Sequence, residues 1–262
     1  MRKSIVATFI AIALWVTGCS SQSNDGKTLK VLFVGNSLTS FNNLPQTVAD
    51  IASSRGNELI YDAHAPGGAK LSQHASNVGV LTKVQAQPWD FVVLQEQSQL
   101  PGFAVRQLSR EVFPYAQDLA ETVKATHPSA SAVFYMTMAH QNGDSANAAV
   151  YPELRTYEGM QKRINRSYLQ MAQDNNALVA PVGEVWARVR SERPEIALYS
   201  DYVHPSRTGT YLAATVFYVT LFQEPSFGAA APEQVDRETA QYLQRLADFT
   251  VLESATDWDW RQ

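Results

Sequence analysis

Nine residues, Val31-Leu-Phe-Val-Gly-Asn-Ser-Leu-Thr39, constrain the fold most. An unbroken β-branched and aromatic run reads as a strand buried on both faces, the usual first strand of a parallel sheet. Gly35 stops it, and Pro45 in a first helical turn, with Val48, Ile51 and Ala52 on one face, predicts strand, tight turn, helix. Four more apolar runs follow. Glu58–His64 leads into Pro66-Gly67-Gly68, Trp89–Leu94 into Gln95-Glu96-Gln97-Ser98, Ser131–Thr137 into a polar loop, and Ala177–Val182 stops at Gly183. Helical spacing fills the gaps, loosely over Leu71–Gln87, and strongly over Val105–Thr126, which His127-Pro128 ends, and Tyr157–Asp174. Two more helices are expected, Thr208–Phe222 and one within Ala231–Leu252. Strands alternating with helices predict parallel β-α-β units. The expected class is α/β, a three-layer α/β/α sandwich with a flavodoxin-like, mainly parallel five-stranded sheet.

The 262 residues carry a formal net charge of -4 and are 45% hydrophobic, which suits one globular domain with ample core. No cluster of Lys and Arg offers an electrostatic footprint, so nucleic acid is not an expected partner. Before the domain stand Arg2 and Lys3, an apolar run from Ile5 to Val16, and Thr17-Gly18-Cys19. This predicts a signal peptide, its apolar run too short for a good spanning helix. Cys19 is the only cysteine, which excludes an internal disulfide. Val16-Thr17-Gly18-Cys19 resembles the bacterial lipobox, and the resemblance implies an acylated Cys19 as the mature first residue. Ser20–Lys27 is polar and reads as a tether. The expected division is residues 1–18 signal peptide, 19–28 tether and 29–262 folded domain. Ser20, where known lipoproteins retained at the inner membrane carry aspartate, points the anchor to the outer membrane of a bacterial envelope.

The polar residues that follow the predicted strands form a set: Ser37, Gly67-Gly68, Gln95, and Asp201 with His204. In a doubly wound sheet such strand ends converge on one edge. The set contains a serine hydroxyl, an imidazole able to take its proton and a carboxylate able to hold that imidazole, the parts that acyl transfer needs. The N–H groups of Ser37 and Gly68 and the Gln95 amide are candidate donors to a tetrahedral oxyanion. Gly-Asn-Ser alone is ordinary turn chemistry, and its meaning comes from the company it keeps.

At these residues the chain resembles the SGNH (GDSL-type) hydrolases. Gly35-Asn36-Ser37-Leu38-Thr39 is similar to the family's first block, with Asn36 where aspartate is commoner, and Gly68 stands for the second. Asp201-Tyr202-Val203-His204-Pro205 matches the last. The third block departs: the family's Gly-x-Asn-Asp is replaced by Gln95-Glu96-Gln97-Ser98, closer to the Gln-Gly-Glu-Ser of carbohydrate acetylesterase branches. The resemblance implies catalysis by Ser37, Asp201 and His204, an oxyanion hole of Ser37, Gly68 and Gln95 with Gln97 in reserve, and no cofactor. It favours short-chain ester hydrolysis, with an O-acetylated glycan as substrate. A lipase or lysophospholipase of the same fold and a non-catalytic glycan-binding lipoprotein are the alternatives.

Other chemistries lack their motifs. The α/β-hydrolase elbow Gly-x-Ser-x-Gly fails at Thr39, and neither a P-loop nor Gly-x-Gly-x-x-Gly occurs. His64, His74, His127 and His140 have no metal-ligand spacing. His127 reads as a solvated helix end, while His64 and His140 fall near strand ends where either could line a pocket. Trp89 and Trp186 read as core or rim aromatics.

Overall fold

The computed structural model describes residues 26–253, so the segments expected as a signal peptide, as a lipobox with Cys19 and as most of a tether lie outside the described residues. The chain runs β1 (Thr28–Val34), α1 (Ser37–Ser40), α2 (Leu44–Ser54), β2 (Glu58–His64), α3 (Leu71–His74), α4 (Val78–Gln85) and β3 (Phe91–Leu94). It continues through α5 (Val105–Glu111), α6 (Phe113–Thr126), β4 (Ser131–Tyr135), α7 (Tyr157–Asp174), β5 (Leu178–Ala180), α8 (Val182–Glu192), α9 (Arg207–Phe222) and α10 (Arg237–Asp248).

The five strands form one parallel sheet in the order β2-β1-β3-β4-β5. Val31 to Val34 pair with Tyr61 to His64 on one side and with Phe91 to Leu94 on the other. All four are fully buried, as an apolar strand covered on both faces must be. Helices α2 and α9 pack together on one face, with α10 behind α9, while α4, α6 and α7 cover the other. The three-layer α/β/α sandwich is therefore present, with every strand parallel. The strand order reverses direction at β1, so the crevice outside the carboxyl ends of β1 and β3 is the topological switch point where such sheets bind ligands.

Several boundaries differ from the sequence reading for local reasons. The expected helix over 105–126 is two helices, because Val112 leaves helical geometry (φ -130, ψ -60) and Pro114 starts a new first turn in α6. The stretch 71–87 also splits, with the Asn77 side chain accepting from Gly79 N and Val80 N to begin α4. The fifth strand stops at Ala180, and Val182 and Gly183 open the unexpected α8. The last helix starts only at Arg237, where Asp236 caps it. Trp89 and Trp186 are core residues, and His127 is half-buried with its ring bonded to the Val84 carbonyl.

Candidate active site

The turn after β1 is built to hold one side chain out. Asn36 is extended (φ -140, ψ -151) and caps α1, its Oδ1 accepting from Leu38 N at 3.1 Å. Ser37 is the first residue of that short helix, and its N–H has no partner among the described residues. Gly35 is required here. A Cβ on it would lie 2.4 Å from Thr39 Oγ1 and 2.6 Å from Gln95 Oε1. His74, buried behind the turn, places Nε2 2.8 Å from the Gly35 carbonyl and so donates to it.

The structure brings the residues separated by 167 positions together. His204 Nε2 lies 3.0 Å from Ser37 Oγ, and His204 Nδ1 lies 2.8 Å from Asp201 Oδ2. With Nδ1 protonated toward the carboxylate, Nε2 is left to accept the serine proton. The other oxygen of Asp201 accepts the N–H groups of Val203 and His204 at 2.7 Å each, so the three-residue spacing in sequence closes a turn around the carboxylate. Desolvation pushes the Asp201 carboxyl up, but these N–H groups and the His204 ring outweigh it and bring its pKa down to about 2. It is a carboxylate at any working pH.

Two residues, Phe41 and Asn42, hold the histidine loop against the serine turn, and sequence reasoning missed both. The Phe41 ring stacks on the His204 ring at 4.8 Å. Asn42, in the left-handed region that asparagine tolerates (φ 53), donates from Nδ2 to the Pro205 carbonyl and to Thr210 Oγ1, each at 3.0 Å.

On the opposite side, Asn36 Nδ2 donates to the Ala69 carbonyl at 2.9 Å, which draws the glycine loop to the serine turn. Gly68, in the left-handed region (φ 70), has an N–H without a partner among the described residues. The variant asparagine of the first block thereby acquires a reason: it accepts with Oδ1 and donates with Nδ2, and an aspartate could not donate.

Gln95 does not present its amide to this cleft. It is 0% exposed, with Oε1 accepting from Asn36 N and Thr39 Oγ1 at 2.9 Å each and Nε2 donating to the Glu96 carbonyl. The expected oxyanion role at Gln95 is therefore corrected: this glutamine braces the serine turn from inside. Gln97 has the freer amide. Its Oε1 caps Gln99 N and Leu100 N at 3.0 and 3.2 Å, leaving Nε2 with one 3.5 Å contact to Ser98 Oγ.

The two histidines left open by the sequence have different surroundings. His140 is buried between Ser98 Oγ and the Tyr202 hydroxyl, 3.0 Å from each, and burial lowers its pKa against the opposing Asp144 charge. His64 lines a cleft of about 240 Å³ with Gly67, Gly68, Gln73, His74 and Asn77. A larger groove of about 810 Å³ between α7 and α8 contains none of the predicted site residues.

No family model and no curated protein matches the chain. Solved structures do. A protein assigned to the SGNH hydrolases, from Slackia heliotrinireducens, superposes with a TM-score of 0.60 at 29% identity, over 74% of this chain and 99% of its own. A DUF4886 family protein from Bacteroides uniformis has a TM-score of 0.74 at 17% identity, over 87% of this chain and 96% of its own. An acetyl-xylooligosaccharide esterase from Geobacillus has a TM-score of 0.53 at 18% identity, over 79% and 99%. The last two share the fold. With that fold, a serine turn at the switch point of the sheet and its likeness to the Slackia protein, the chain is similar to the SGNH hydrolases and is a serine hydrolase of that type.

Proposed function

We propose that the chain is a lipid-anchored serine esterase that removes short acyl groups, O-acetyl above all, from carbohydrate. One observation carries the chemistry: the unbroken chain of contacts from Ser37 Oγ to His204 Nε2 and from His204 Nδ1 to Asp201 Oδ2, at 3.0 and 2.8 Å. Ser37 Oγ attacks the ester carbonyl while its proton passes to Nε2. As the acyl C–O bond to the sugar breaks, the same proton goes to the departing sugar oxygen, which leaves as a hydroxyl, and an acyl-enzyme remains. Water then attacks the acyl carbon as its proton passes to His204 Nε2; the bond to Ser37 Oγ breaks, the carboxylic acid departs, and His204 gives the proton back to Oγ. The N–H groups of Ser37 and Gly68 and the Gln97 amide are the donors to both oxyanions.

The acetyl preference draws on the neighbouring acetyl-xylooligosaccharide esterase of the same fold and on the Gln95–Ser98 block. The anchor draws on Val16-Thr17-Gly18-Cys19 and its polar tether, and Cys19→Ser is expected to release the protein from membranes into the soluble fraction. A fluorophosphonate tests the nucleophile: the wild type should gain one adduct mass on the peptide containing Ser37, and Ser37→Ala none. Labelling of Ser37→Ala at the wild-type rate would refute the assignment.

A further inference from the structure

Directly beneath the proposed oxyanion donors lies a buried acid that the mechanism does not use. Glu96 is 0% exposed, and none of its contacts is an ion pair. Its carboxylate accepts Leu71 N at 3.3 and 3.4 Å through its two oxygens, and Gln97 N at 2.5 Å. Its main chain is equally committed: the carbonyl accepts from Asn36 Nδ2 at 3.4 Å and from Gln95 Nε2, and the N–H donates to the Tyr168 hydroxyl at 3.2 Å. One residue thus ties the parts of the site together: its own glutamine loop through Gln97, the serine turn through Asn36, and, through Leu71 N, the start of α3 where the glycine loop ends.

Burying a carboxylate with no cation in contact costs several kcal/mol even with the Lys70 charge nearby, and an apolar side chain would fill the same space at no such cost. The carboxylate has what an apolar group lacks, two acceptor oxygens that can hold N–H groups from two different loops at a fixed separation. Those loops carry Gly68 and Gln97. We propose that Glu96 is a positioning residue whose carboxylate sets the distance between the Gly68 N–H and the Gln97 amide, and so the geometry of the oxyanion hole. The inference rests on the esterase reading above and adds a residue that acts through others.

Donors 1 Å out of place lose most of their effect on a transition state while ground-state binding is nearly untouched. Glu96→Gln keeps the volume but turns an NH2 toward one of the two N–H groups. It should lower kcat for p-nitrophenyl acetate by about 10²-fold, leave KM within about threefold, and slow phosphonylation of Ser37 in proportion. Glu96→Asp keeps the charge one methylene short and should recover part of the loss. A folded Glu96→Gln with wild-type kcat, or with its loss confined to KM, overturns the inference. Should Glu96→Gln fail to fold, Glu96→Asp decides: a lowered kcat at unchanged KM supports the inference, and wild-type kcat overturns it. Absence of Ser37-dependent turnover in the wild type is a separate outcome, which removes the esterase reading and this inference with it.

Discussion

Glu96 makes the stability of the fold depend on pH with a sign opposite to that of most carboxylates. Burial raises its pKa from 4.5 to about 7, against the opposing pull of the Gln97 and Leu71 N–H groups and of Lys70. An acid with a raised pKa in the folded state resists ionisation, so its cost is absent below the unfolded value. The cost grows as pH rises between the two values and is complete above the folded one. The difference between 4.5 and about 7 corresponds to about 3 kcal/mol. The assay is urea unfolding of wild type and Glu96→Gln at intervals from about pH 4.5 to about pH 8, with the difference in unfolding free energy plotted against pH. Titration of every other group cancels in that difference. The wild type should lose about 3 kcal/mol relative to the variant across this window, most of it between about pH 5 and pH 7. Parallel profiles would refute a costly buried carboxyl. A wild-type advantage that grows with pH would show that its N–H partners outweigh its desolvation.

Asn36→Asp removes the donor to the Ala69 and Glu96 carbonyls and sets a carboxylate against them, which should cost about 1–3 kcal/mol by urea unfolding; an unchanged midpoint would contradict the role given to Nδ2. Gly35→Ala drives a methyl group into Thr39 Oγ1 and Gln95 Oε1, with an expected loss of about 1–3 kcal/mol and a lower esterase rate, measurable by thermal unfolding and p-nitrophenyl acetate turnover. Asp201→Asn leaves the loop its shape but allows the wrong His204 tautomer, and kcat should fall by up to about 10⁴-fold with little change in far-ultraviolet circular dichroism.

Much of this was legible in the sequence, because burial on both faces of a parallel sheet writes itself as uninterrupted apolar runs. β2 has the bounds read for it, and Ser37, Asp201 and His204 meet because strand ends of a doubly wound sheet must converge. The errors have local causes. Apolar spacing continues through Val112 although the backbone does not, and Pro114 was the available warning. In α8, Val182, Val185, Trp186 and Val189 carry a helical period, but Gly183 reads as a strand terminator. That Gln95 turns inward was not legible, since it depends on Asn36 N and Thr39 Oγ1 claiming the Gln95 oxygen. Glu96 had no signal at all: a single acid between two glutamines looks solvated until the fold buries it.

The central claim is that Ser37 is the nucleophile of a short-chain esterase. Hydrolysis of p-nitrophenyl acetate and of the octanoate ester, by wild type and Ser37→Ala side by side, tests it most directly. Acetate turnover should exceed octanoate turnover and fall by about 10³-fold or more in Ser37→Ala. Acetate cleavage by Ser37→Ala at the wild-type rate would contradict the nucleophile, and octanoate cleavage as fast as acetate would contradict the short-chain preference.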